Sequence, residues 1–325
     1  MKALVCIPTF NRSKIISKAV EAALTQSYEN TGVLVVDDGS TDSTEETLRP
    51  YFSEPNFCYI KLARNAGTAT AKNVGLVLGD YDAIAFHDSD DIPDRHKILL
   101  QMRALELSGH VADPILDWQA VGVRPGSELE IDVVFTGHRL IRGDGTVYEI
   151  KKRISVVDDF FPNLQFPSQT PGDWILVNSA LFRRSVFEKV GGYLDSIEED
   201  RELRNRVIAT GHIAYFLDQP LVDKIEMADS LTVAHQTNYQ AEHRRRDRDA
   251  VWQRQRLYRE LLLSDNKDAV DWSDIIVPAD LRGVTLEVVS RPEMLNARPT
   301  IPFLGESPVL SRPQSNGQPS KLVVA

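Results

Sequence analysis

Two carboxylate clusters hold most of the chemistry that this sequence could perform. Asp88-Ser89-Asp90-Asp91 sets three carboxylates within four residues. Charges that close repel and raise one another's pKa unless a cation compensates, and a hard divalent ion, Mn²⁺ or Mg²⁺, is the fitting compensator. Such an ion takes one or two protein carboxylates and fills its other positions with water and diphosphate oxygens. The same residues also read as an acidic turn capping a helix that begins near Asp94. The second cluster, Glu198-Glu199-Asp200, opens a helix after Gly191-Gly192-Tyr193, where the helix dipole favours an ionised carboxylate. Glu202 and Arg206 are four apart and suited to pair, which frees Asp200 to face a cleft as a general base. Ordinary acidity at a helix start is the alternative.

Two further segments are ambiguous in the same way. Asp37-Asp38-Gly39-Ser40 is turn-forming chemistry, yet it could also place Asp38 against a base or ribose. Gly67-Thr68-Ala69-Thr70-Ala71-Lys72-Asn73 opens a helix with small residues. They permit close backbone approach and leave Lys72 able to reach a phosphate or base; tight packing of helix on sheet is the other reading.

The elements that must position these groups alternate. Strands are expected at Ala3–Ile7, Val33–Val36, Phe57–Leu62 and Ala83–Phe86, with helices at 13–26, 42–52 and 68–78. That rhythm predicts an α/β fold: a mainly parallel, Rossmann-like sheet flanked by helices. Ligands of such sheets sit outside the carboxyl ends of the strands. Those ends read Pro8-Thr9-Phe10-Asn11-Arg12, Asp37-Asp38-Gly39-Ser40, Arg64-Asn65-Ala66-Gly67 and Asp88-Ser89-Asp90-Asp91, a single polar rim. Asp42 followed by Glu45 predicts a capping box on the second helix. Between 111 and 170 antiparallel strands and loops are expected, with 131–135 and 138–141 flanking a polar link. A second αβ passage follows, with helices at 185–190 and 200–210 and an edge strand at Tyr215–Leu217.

These boundaries divide the chain into a main domain at 1–235, a charged helix at 236–264 and a loosely packed or extended tail at 265–325. Within the main domain, 1–110 is the expected nucleotide-sugar-binding half and 111–235 the acceptor and catalytic-base half. Prolines at 299, 302, 308, 313 and 319 argue against a helix or central strand after Arg298.

The chain has 325 residues, with 37 Lys and Arg against 47 Asp and Glu, a balance that argues against broad attraction to nucleic acid or anionic lipid. Arg244-Arg245-Arg246-Asp247-Arg248 is the local exception, suited to lipid headgroups or DNA, or to a solvated helix face. Cys6 and Cys58 lie in apolar runs and read as small core residues. No stretch approaches the roughly 18 apolar residues of a membrane span, and the expected setting is cytoplasmic, with peripheral membrane association open.

The strand-end motifs, Gly191-Gly192-Tyr193, and Glu199-Asp200 with Arg206 together resemble the family 2 glycosyltransferases of the GT-A fold, from Met1 to about Thr232. The resemblance implies an inverting transferase that takes a sugar from a nucleotide-diphosphate donor, UDP-type favoured, to a hydroxyl acceptor in polysaccharide or other glycan synthesis; the alternatives are a catalytically silent nucleotide-sugar-binding or assembly subunit, or a transferase acting on protein or modified nucleic acid. It assigns Pro8 and Phe10 to cradling the base, Asp38 to reading it, and Asp90 to the ribose. Asp91, with Asp90, holds the metal, and Asp88 supports them. Thr9, Asn11 and Asn65 complete the donor-binding set, and Lys72 stands where many relatives carry arginine. Asp200 corresponds to the catalytic base, with Glu199 assisting. One departure stands out: many relatives carry an Arg-x-His segment after the edge strand, whereas this chain reads Lys224-Ile225-Glu226. Trp174 could stack on an acceptor sugar or pack beside the sheet.

Overall fold

The protein is described by a computed structural model covering residues 1–106, 130–150, 177–210, 212, 214–227, 240–262, 275–295, 300–305 and 320–323. The first strands follow the apolar β-branched runs: β1 (Ala3–Thr9), β2 (Thr31–Asp37), β3 (Phe57–Leu62) and β4 (Ala83–Phe86). They pair in parallel in the order β3-β2-β1-β4. Alternation along β1 splits the core: Leu4 and Cys6 face one cluster, and Ala3, Val5 and Ile7 the other. Helices α1 (Ile16–Leu24), α2 (Thr44–Leu48) and α4 (Lys97–Glu106) cover the second face, and α3 (Thr68–Leu78) covers the first.

Small residues let α3 sink onto the sheet. A Cβ on Gly75 would lie 2.3 Å from Cys6 Sγ, so only glycine permits this approach. The tight-packing reading of the 67–73 segment therefore holds, and the same close packing carries Lys72 into the interior.

The expected capping box on α2 does not form. Asp42 lies before the helix and accepts from the amide and hydroxyl of Thr44 and from the Ser13 amide, so it ties two loops together. The two strands expected at 131–141 are one, β6 (Val133–Ile141), and the Thr136-Gly137 link is a register shift within it. A turn containing Gly143-Asp144-Gly145 leads to β7 (Val147–Ile150), which pairs back on β6.

Beyond β8 (Leu181–Arg183), α5 (Arg184–Val190) and α6 (Glu199–Ala209) pack on the same face as α3. The expected edge strand Tyr215–Leu217 is the start of a longer one, β9 (Ala214–Ile225). It lies parallel to β6 and receives the two-residue β5 (Ile92–Pro93) on its other side. The charged helix α7 (Glu242–Leu262) rests against α6.

The expectation of a loosely packed tail needs correction over 275–304. There β10 (Ala279–Asp280) pairs with β12 (Phe303–Leu304), and β11 (Thr285–Ser290) extends the main sheet antiparallel to β3. Leu286 and Val288 alternate into the main core, joined by Ala279, Leu281 and Ile301. Apolar alternation outweighs the prolines, which fall outside β11. β13 (Ser320–Val323) closes that edge of the sheet. Trp174 and the stretch Ala228–Thr232 lie outside the described residues.

Candidate active site

At the carboxyl ends of β1 to β4 lies a cleft of about 490 Å³. Pro8, Thr9 and Phe10 line it from β1, with Phe10 exposed at the rim. Asn11 does not line it. Its backbone takes φ 53°, and its carboxamide oxygen accepts from the Thr41 and Asp42 amides, so it braces the loop after β2. Asp38 does line the cleft, but its two oxygens accept from the amides of Ala66 (2.6 Å) and Gly67 (2.9 Å). It thereby fixes the loop that presents Asn65. Gly39, at φ 73°, would drive a Cβ to 2.5 Å from the Arg64 carbonyl carbon, which explains the glycine between these two loops.

Asp88, Asp90 and Asp91 are the metal-competent set: one oxygen from each lies within 4.8 Å of the others. Asp91 is 1% exposed, and neither of its oxygens accepts a well-formed hydrogen bond. Burial pushes its pKa well up, and Asp88 and Asp90 add to that, against a partial offset from Lys224 and the Ile225 amide. Burial and Asp88 likewise raise Asp90. A buried carboxylate with unused oxygens beside two others is a donor set that fits a hard divalent cation. The reading of this segment as a helix cap fails, because α4 starts only at Lys97 and Asp94 serves the His96 amide.

Two partners of this set were not legible in the sequence. Asn178 donates to Asp88 Oδ1 at 2.7 Å, and Lys224 Nζ lies 3.5 Å from Asp88 and 3.8 Å from Asp91. The Ile92–Asp223 pairing of β5 with β9 brings Lys224 there. The three carboxylates hold its ammonium protonated despite burial.

Across the cleft, Lys72 is 1% exposed, and its Nζ donates to Glu199 Oε1 (2.9 Å) and Asp200 Oδ1 (2.8 Å). Its charge thus meets carboxylates, where the sequence had suggested a phosphate or base. The ammonium also stands 4.9 Å from the centre of the Tyr193 ring. Burial and the adjacent Asp200 push Glu199 up to about 8. Burial opposes ionisation of Asp200 as well, but Lys72 and a hydrogen bond from Glu199 hold its pKa below the ordinary value. At neutral pH the pair therefore shares one proton, carried by Glu199, and Asp200 is the carboxylate, with its side chain 33% exposed to the cleft.

The turn before α6 is locked by α3. Asn73 clasps the Tyr193 backbone, its Nδ2 donating to the carbonyl and its Oδ1 accepting from the N–H, and a Cβ on Gly192 would meet Asn73 Oδ1 at 2.3 Å. Arg206 makes the expected pair with Glu202 at 2.8 Å and donates to the carbonyls of Val190 and Gly192. Tyr258 of α7 donates to the same Glu202. Both members of this pair are fully buried; they position the start of α6 and lie away from the cleft. Arg201, Arg204 and Arg244 complete the cleft wall beside Asp200.

The sequence matches the Glycosyl transferase family 2 model over residues 4–191, and the chain belongs to that family. An uncharacterized glycosyltransferase of Rickettsia bellii is 34% identical over 105 residues, 32% of this chain and 15% of that protein. The glycosyltransferase GlyA of Streptococcus pneumoniae is 26% identical over 226 residues, 68% of this chain and 30% of the relative. The matches therefore take in less than a third of either relative. The crystal structure of S. aureus TarS 1-349 in complex with UDP-GlcNAc superposes with a TM-score of 0.55 at 17% identity, over 82% of this chain and 68% of that one. At that identity the likeness establishes the GT-A type of fold.

Proposed function

We propose that the protein transfers a sugar from a nucleotide-diphosphate donor to an acceptor hydroxyl by a single inverting displacement, as a step in cell-surface polysaccharide or other glycan synthesis. The observation that carries this reading is the facing of two acid centres across one cleft: an aspartate trio in which both buried oxygens of Asp91 are without a hydrogen-bond partner, and an ionised Asp200 held by Lys72. The solved relatives named for UDP-GlcNAc and UDP complexes favour a UDP-type donor.

In this reading Phe10 and Pro8 bound the base site, and Asn65 is presented by the loop that Asp38 fixes. Asp91 and Asp90, supported by Asp88, hold Mn²⁺ or Mg²⁺, which when bound neutralises charge on the departing diphosphate. Lys224 adds a second positive charge at the same end. Asp200 accepts the proton of the attacking hydroxyl, and because Lys72 keeps it ionised, no prior deprotonation is needed. Glu199 holds its proton and donates to Asp200, which fixes the orientation of the base. An in-line displacement needs no enzyme nucleophile, so the rate rests on positioning, base catalysis and charge stabilisation.

The test is the transfer rate of Asp200→Asn against wild type on a panel of nucleotide sugars and hydroxyl acceptors. A loss of about 10²- to 10⁴-fold with donor binding retained is expected for removal of a general base. Transfer that survives the substitution at wild-type rate rules out Asp200 as the base.

A further inference from the structure

The wall of the cleft around Asp200 is lined by three arginines. Arg201 and Arg204 come from α6 and Arg244 from α7, and all three line the cleft. Glu198 serves two of them: its Oε2 lies 3.3 Å from Arg201 Nε, and its Oε1 accepts from Arg244 Nε at 2.8 Å. Glu199 and Asp200 are engaged with Lys72. Arg204 is left without a carboxylate partner among the described residues. Its Nε and Nη2 donate to the Asn205 carboxamide oxygen at 3.4 and 3.1 Å, and the residue is 4% exposed.

A guanidinium buried to this degree is normally paired, because an uncompensated buried charge loses its hydration with nothing to replace it. Burial and the nearby Arg201 lower the Arg204 pKa to about 9, still above neutral, so the group stays charged. Its open side is the cleft, and a planar fork of N–H donors is suited to grip a phosphate or carboxylate. Its position says which substrate carries that anion. Arg204 is four residues after Asp200 on α6, one helical turn of about 5.4 Å, whereas Asp88, Asp90, Asn178 and Lys224 at the metal-competent end come from other elements. Building on the transferase reading above, we propose that Arg204, framed by Arg201 and Arg244, forms a subsite for an anionic oxygen group on the acceptor, about one helical turn from the hydroxyl that Asp200 deprotonates. The acceptor class that fits is a sugar or polyol bearing a phosphate or a carboxylate, rather than a neutral glycan.

The experiment titrates the full chain, with Mn²⁺ and saturating UDP, against glycerol 3-phosphate, glucuronate and glycerol by calorimetry, for wild type and Arg204→Gln. UDP is titrated separately against both proteins. Saturable binding of at least one anion and none of glycerol is expected, weakened at least tenfold by Arg204→Gln while UDP affinity stays within twofold. The arm that binds identifies phosphate or carboxylate. If UDP binds and neither anion does, or if Arg204→Gln leaves anion binding unchanged, the subsite is refuted while the transferase reading stands. An equal loss of UDP affinity in the variant also refutes it, by making Arg204 a ligand of the donor diphosphate. Failure of wild type to bind UDP at all refutes the UDP-type donor, and the same titration with GDP, dTDP and CDP in its place then decides the subsite. Should Arg204→Gln fail to fold, Arg204→Lys keeps the charge and loses the fork: a threefold or greater loss of anion affinity supports the subsite, and no loss overturns it.

Discussion

Replacing Glu199 with Gln tests whether one proton is held between Glu199 and Asp200. Glu199 is buried, and its pKa rises from an ordinary 4.5 to about 8. A folded-state pKa above the unfolded value means that the folded protein keeps a proton the unfolded chain releases. The associated stability is fully present below about pH 4.5 and is lost as pH rises through about 8. Each unit within that window costs about 1.4 kcal/mol. Between pH 6 and pH 8 the wild type should therefore lose up to about 2.7 kcal/mol relative to Glu199→Gln, which cannot ionise. The glutamine keeps an oxygen to accept from Lys72 and an N–H to donate to Asp200, so the geometry is preserved. The assay is urea denaturation of both proteins at pH 6, 7 and 8, comparing the difference in unfolding free energy. Parallel curves, or a wild type that gains on the variant as pH rises, would show that Glu199 is ionised at neutrality and that the proton assignment is wrong.

Two further substitutions probe the framework. Arg206→Leu removes the buried ion-pair partner of Glu202, leaving it the Tyr258 hydroxyl and Arg254 at 3.4 Å, and frees the carbonyls of Val190 and Gly192. It should cost about 3–5 kcal/mol in a denaturation midpoint, and a loss under 1 kcal/mol contradicts the assigned role of the pair. Gly75→Ala puts a Cβ 2.3 Å from Cys6 Sγ. An overpacking cost of about 1–3 kcal/mol is expected, most of it relieved when Cys6→Ala is added, since adjacent sites couple.

What could be read from the chain depended on how local the determining contacts are. The β1–β4 strand ends were legible because apolar runs terminate abruptly in short polar groups, and the i,i+4 spacing of Glu202 and Arg206 announced their pair. Asp88, Asp90 and Asp91 announced themselves by mutual repulsion. Lys224 did not, because its place depends on the pairing of Ile92 with Asp223, far apart in sequence. Asn178 sits in a stretch with no pattern of its own. Asp38 and Asn11 were assigned to ligand, yet the structure commits their side-chain oxygens to backbone amides of adjacent loops, a partner that sequence cannot distinguish from a substrate donor. In Thr285-Leu286-Glu287-Val288 the alternation was present, but the surrounding prolines suggested a tail.

Under the proposed function, Asp88, Asp90 and Asp91 build a metal-dependent nucleotide-sugar site. Calorimetric titration of UDP-, GDP-, dTDP- and CDP-sugars, with Mn²⁺ and with chelator, on wild type and on Asp91→Ala, tests it most directly. One donor type should bind only with metal, and Asp91→Ala should abolish this binding while remaining folded. Donor binding of equal affinity with chelator, or unchanged in Asp91→Ala, would contradict it.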